Sequence, residues 1–168
     1  MTPLPPPLGS GELVAWRLHR AQFRDDWDSG EGAFRWGGRW NSRGVRAVYC
    51  SLDPATAILE VAVHTGFAAL DAVPHVMTAV TIIEPTRVHV VEPDAVPDPA
   101  WLRPGNPTPA QQQFGDALLA EHAMIAVPST VSSHSWNLIF SADGGAGGYA
   151  KRLQEEFALD PRLRAPAR

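Results

Sequence analysis

The sequence predicts an α+β fold, a compact single domain with a mixed, mainly antiparallel β core. Three observations carry that expectation. A chain of 168 residues has the length of one domain, and at that size folding buries roughly 70% of the unfolded surface without help from disulfides or metals. Its 16 prolines and 14 glycines divide it into short elements rather than the long helices of a bundle. Runs rich in β-branched residues, such as Val76–Ile83, alternate with two segments that read as helices.

Residues 1–12 read as a Pro-rich N-terminal arm and 13–168 as the folded domain, because consecutive prolines favour extended backbone over packed helix. Leu13–His19 reads as the first strand. Residues 21–44 read as a polar connection carrying Trp27, Trp36, Arg39 and Trp40, and connections of that length usually bind something. Val45–Ser51 reads as a second strand. Asp53 as N-cap and Pro54 at the first helical position then start a helix that runs to about Thr65, where Gly66 stops it. Its predicted apolar stripe is Ile58, Leu59, Ala62 and Val63, with Glu60 and His64 on the polar side.

Val76–Ile83 and Arg87–Val91 read as strands separated by the turn Glu84-Pro85-Thr86. After a Pro-rich loop from Glu92, Pro109–Glu121 reads as a helix, and Ala123–Val127 and Asn137–Phe140 as strands. Gly144–Gly148 reads as a linker before a last amphipathic segment, Tyr149–Phe157.

A net charge of -4 and a pI near 5.8 argue against a surface built to coat nucleic acid, so small molecules or proteins are the expected partners. The single Cys50 excludes an internal disulfide framework and suits a reducing compartment. Met1–Leu8 lacks the charged and apolar regions of a signal peptide, and no run reaches the roughly 18 apolar residues of a membrane span. A cytoplasmic protein is expected.

Several familiar chemistries find no support. Gly144–Gly148 lacks the Gly-Lys-Ser/Thr ending of a phosphate-binding loop. The histidines at 19, 64, 75, 89, 122 and 134 include no helical pair four apart, so no metal site is expected. Ser129 lacks the Gly-x-Ser-x-Gly frame of a hydrolase nucleophile and better suits holding a ligand. What remains is the run Gly37-Gly38-Arg39-Trp40-Asn41, then Tyr49, Ser51 and Glu60. It supplies a guanidinium fork for pyrophosphate, aromatic surfaces, and a carboxylate, the groups needed to cleave a dinucleotide such as NAD at its ribosyl bond.

Trp16-Arg17, Gly38-Arg39-Trp40-Asn41, Val48-Tyr49, Leu59-Glu60-Val61 with His64, Gly115-Asp116, Val127-Pro128-Ser129 and Asn137 stand in an order that resembles the RES domain, over roughly residues 13–163. The arginine, glutamate and serine of the family's name would be Arg39, Glu60 and Ser129. The resemblance implies a bacterial toxin of a toxin–antitoxin pair, with a fold similar to ADP-ribosyltransferases and an Xre-like antitoxin that occludes the active site. It further implies that NAD is a substrate rather than a prosthetic group, cleaved between nicotinamide and ribose. The ADP-ribosyl group would pass to phosphate, to water or to a protein acceptor. One departure stands out: many RES sequences continue after this asparagine into an Asn-Pro and histidine segment, where this chain has Ser141-Ala142-Asp143-Gly144-Gly145.

On this reading Glu60 stabilises the ribosyl cation, with Arg39 and Tyr49 beside it as the catalytic set. Arg17, Arg39, Trp40, Asn41, Tyr49 and Ser129 form the binding set, and no metal is assigned. Each has a plainer alternative: Glu60 a solvated helix residue, Arg39 a surface arginine, and Arg17 a strand arginine paired with an acid. Likewise Tyr49 reads as a half-buried strand tyrosine, Trp40 and Trp36 as core anchors, and Ser129 and Asn137 as turn or loop residues. Two other classes stay open. A non-catalytic nucleotide-binding module would have no need of the carboxylate, and a toxin acting on RNA would be expected to show a basic face.

Overall fold

The computed structural model describes residues 12–142, 145 and 147–163. The Pro-rich stretch Thr2–Ser10 lies outside them, and of the Gly144–Gly148 linker only Gly145, Gly147 and Gly148 fall inside. In chain order the elements are β1 Leu13–Arg20, α1 Glu31–Trp36, β2 Ala47–Ser51, α2 Pro54–Thr65, α3 Phe67–Ala72 and β3 His75–Ile82. They continue with β4 Val88–Val90, α4 Pro109–Glu121, β5 Met124–Pro128, β6 Trp136–Ser141 and β7 Tyr149–Phe157. The strands form one seven-stranded sheet in the order β4-β5-β6-β2-β1-β3-β7. Only β4 and β5 pair in parallel, so the sheet is mixed and mainly antiparallel, as expected.

Helix α2 starts where its cap predicts, and α4 spans the residues expected of it. Asp53 accepts the Thr56 amide at 2.8 Å, Pro54 occupies the first turn, and Gly66 ends α2 at φ 78°. Thr108 does the same for α4, accepting the Gln111 amide at 3.2 Å ahead of Pro109. Such caps contribute about 1 kcal/mol each by satisfying amides the helix itself leaves open.

Strand alternation sorts the core into one cluster on one sheet face and two on the other. Leu13, Ala15, Val48, Cys50, Val80, Leu138 and Phe140 meet Trp27 on the first face. On the second face Ala47, Ile125, Val127 and Ile139 pack with Trp40 and Leu119 of α4. Beside them Leu18 and Met77 pack with Ala57 and Ala62 of α2 and Leu70 of α3.

Two expectations are corrected here. The connection over residues 21–44 is not plain loop: it holds a single turn at Ala21–Phe23 and the helix α1, which is braced by the Glu31–Arg35 pair one helical turn apart. The buried stripe of α2 is also different, because Leu59 and Val63 are 38% and 59% exposed while Thr56, Ala57 and Ala62 are buried. Apolar residues occupy several sides of this helix, so periodicity alone could not choose among them; Ala57 and Ala62 are buried in the cluster, with Ile58, as expected, and Val61 packed against it. Among the described residues no helix is long and apolar enough to cross a membrane.

Candidate functional site

Glu60 projects from α2 toward the ends of β5 and β6. Its Oε1 accepts the Ser129 hydroxyl at 2.9 Å and the Asn137 side-chain amide at 2.5 Å. Both donors are buried and built into the scaffold. The Ser129 oxygen also accepts the amides of Val131 and Ser132, at 3.3 and 3.1 Å, which closes the turn after β5. Asn137 lies opposite Ser51 in the β2–β6 ladder, and the Ser51 hydroxyl donates to its Oδ1 at 2.8 Å. That bond orients the amide, so that its NH2 faces Glu60. Every hydrogen bond of Glu60 among the described residues falls on Oε1, leaving Oε2 as an acceptor for something else.

Tyr49 stands on β2 two residues before Ser51, and so on the same sheet face. Its hydroxyl donates to Asn41 Oδ1 at 2.7 Å and accepts the Trp40 amide at 3.0 Å, so the ring, not the hydroxyl, is the part left for a ligand. Burial holds the phenol well above the ordinary tyrosine range. Gly38 is required here, because a Cβ would lie 2.5 Å from the Tyr49 oxygen and 2.7 Å from Asn41 Oδ1. Gly115 on α4 is as constrained, since a Cβ there would lie 2.1 Å from the Trp40 carbonyl oxygen. Gln112 and Asp116 of α4 complete the support: Gln112 donates to the Gly38 carbonyl at 2.8 Å, and Asp116 accepts the Ser42 amide at 2.8 Å. The motif pair Gly115-Asp116 thus positions the Gly38–Ser42 loop.

Arg39 extends from that loop. Its Nη1 donates to the Trp101 carbonyl at 3.3 Å and its Nη2 to the Gly105 carbonyl. Partial burial lowers its pKa, and the Glu60 carboxylate works against that shift.

Three sequence expectations change. Trp40 is 1% exposed and packs against Phe114 with ring centres 6.3 Å apart, so it offers no face to a ligand. Asn41 is fully buried and spends its amide on the carbonyls of Ala33, Ser42 and Val45, which makes it a support for Tyr49. Arg17 lies on the other sheet face: it alternates with Leu13 and Ala15, near Cys50 and Asp28, whereas Tyr49 alternates with Ala47. Trp36 is 73% exposed, with the Arg43 guanidinium 5.9 Å from its ring centre. Ser51 received no role from sequence, and its partner Asn137 is 86 residues away.

The carboxylate held by Ser129 and Asn137, with Arg39 and Tyr49 on neighbouring elements, is the candidate site of this α+β protein. The chain belongs to the RES domain family, which matches residues 14–160. It is 31% identical over 153 residues to "Toxin Res" of Pseudomonas putida, covering 90% of this chain and 99% of that one. It is 28% identical over 156 residues to "Toxin Res" of Photorhabdus laumondii, covering 90% and 97%. A third relative, "Prs ADP-ribosylating toxin" of Sphingobium sp., is 32% identical over 167 residues, covering 88% and 94%. The fold is also similar to a chain in the crystal structure of the M. tuberculosis MbcT–MbcA toxin–antitoxin complex. That match has a TM-score of 0.65 and 19% identity, covering 87% of this chain and 84% of the other.

Proposed function

We propose that this protein is the toxin of a type II toxin–antitoxin module and cleaves NAD at the bond between nicotinamide and ribose. The observation that carries the reading is the Glu60 carboxylate, fixed through Oε1 by Ser129 and Asn137 with Oε2 open. When the glycosidic bond breaks, its electron pair goes to the nicotinamide nitrogen and C1′ of the ribose becomes cationic. A carboxylate already in place stabilises that charge where it develops and needs no reorganisation to do so.

Arg39 binds the pyrophosphate by exchanging the Trp101 and Gly105 carbonyls for phosphate oxygens, which return stronger, charge-assisted bonds. The Tyr49 ring packs against the ribosyl end. The nucleophile then bonds to C1′ from phosphate, water or a protein side chain, losing its proton as it does so. NAD enters as substrate, and no metal or prosthetic group is assigned a step. A protein acceptor is the second reading, favoured by the relative named for ADP-ribosylating Prs. The antitoxin, proposed as Xre-like, covers this cleft and sets a carboxylate against Arg39. Support for such a partner is the toxin–antitoxin complex among its structural neighbours.

The test is incubation of antitoxin-free protein with NAD labelled on the adenylate phosphate, with and without inorganic phosphate and lysate. Label recovered as small molecules identifies a phosphorylase or glycohydrolase, and label on a protein band identifies a protein ADP-ribosyltransferase. Intact NAD in every wild-type reaction overturns the proposal.

A further inference from the structure

The sheet has one weak joint. β1 runs beside β3 from the Leu13–Ile82 pair to the Arg20–His75 pair, and β2 runs beside β6 from Ala47–Ser141 to Ser51–Asn137. Between β1 and β2 the ladder consists of Trp16–Ser51 alone. Beyond it β1 and β2 share no ladder pair among the described residues, so the sheet is joined there less firmly than anywhere else along β1 and β2. The candidate site is assembled across that seam. Glu60 stands on α2, whose Ala57 and Ala62 pack on Leu18 of β1 and Met77 of β3, whereas its donors Ser129 and Asn137 belong to the side that also carries Tyr49.

Where the ladder fails, a side chain replaces it. Arg17 of β1 donates from Nη1 to the Tyr49 carbonyl of β2 at 2.8 Å. We infer that Arg17 is a positioning residue: its guanidinium closes the seam between β1 and β2 and holds the β2 backbone at Tyr49, and so the loop that carries Arg39, in register with Glu60. It does not serve as a phosphate ligand, because alternation puts it on the face opposite the Tyr49 ring. Burial works against the Arg17 charge, and Asp28, itself held by the Tyr149 hydroxyl at 2.9 Å, offsets part of that effect. The Arg17 Nε is buried without a hydrogen-bond partner among the described residues, so the guanidinium is spent on reaching the seam rather than on satisfying all its donors.

The part of this inference that concerns catalysis rests on the proposed NAD reaction; the part that concerns the seam does not. The test compares wild type with Arg17→Met and Arg17→Lys by amide hydrogen exchange, and by kcat and KM for NAD cleavage. In Arg17→Met, exchange over residues 38–51 is expected to rise at least about tenfold while residues 75–82 keep their protection. With the cleft no longer in register, kcat is expected to fall about 10- to 100-fold and KM to move less than about threefold. Arg17→Lys, which keeps a charge and one donor, falls between, and it carries the test if Arg17→Met does not fold. Unchanged exchange over 38–51 in the lysine and methionine variants overturns the inference, as does a raised KM with kcat intact. If wild type leaves NAD whole, the functional proposal fails while the exchange comparison still decides the role of Arg17.

Discussion

Glu60 stands on a capped helix and is held by side chains from two buried strands, whereas Arg39 stands on a loop and is held by the carbonyls of another loop. The difference fits what the proposed NAD reaction would ask of each end. Charge that develops only in a transition state is stabilised best by a group that does not move, so the carboxylate is locked through a relay running from Ser51 to Asn137 to Glu60. In the proposed reaction a phosphate would have to enter and leave, and carbonyl acceptors on loop backbone can be exchanged for phosphate oxygens without disturbing the core. One end is suited to rate and the other to binding.

Substitutions at the two ends should therefore separate in kinetics, and the largest effect is expected at the relay. Asn137→Ala removes the shorter of the two bonds to Glu60, and kcat for nicotinamide release is expected to fall about 100-fold with KM nearly unchanged. A rise confined to KM would mean that Asn137 holds substrate instead. Next, Arg39→Lys keeps the charge but loses the two-pronged geometry, so KM for NAD should rise about 10-fold with a smaller change in kcat, measured by initial rates. Equal losses in both constants would show that Arg39 acts on the transition state as well. The smallest effect is expected for Ser51→Ala, which frees the Asn137 amide to turn without removing it: kcat should fall about threefold. Adding Ser51→Ala to Asn137→Ala should cost nothing further, since both act through the same amide.

The capped elements were legible because their signals are local. Asp53-Pro54 and Gly66 mark α2 within the chain itself, and the observed helix begins and ends there. Glu60, Arg39 and Tyr49 stood out as chemistry, and the structure sets Glu60 against Ser129 and Asn137 and ties the Tyr49 hydroxyl to the Arg39 loop at Trp40. What could not be read was direction. Trp40 and Trp36 stand four positions apart in one Gly-rich stretch, yet one is sealed under α4 and the other faces solvent, a choice made by packing against Phe114 and Gly115 far along the chain. Ser51 gains its meaning only from the strand register that sets it opposite Asn137, and Arg17 only from the failure of the ladder beside it. Helix α1 was hidden because its six residues are too few for a periodic signal; the Glu31 bonds to Arg35 and Arg46 stabilise it instead.

The most direct test is nicotinamide release by wild type and Glu60→Gln under identical conditions, with melting temperatures matched. Glutamine keeps an oxygen for Ser129 and Asn137 and removes only the charge. A fall of about a thousandfold or more is the predicted result. A variant within about tenfold of wild type would contradict the account, because the carboxylate would then not be the group that stabilises the ribosyl cation.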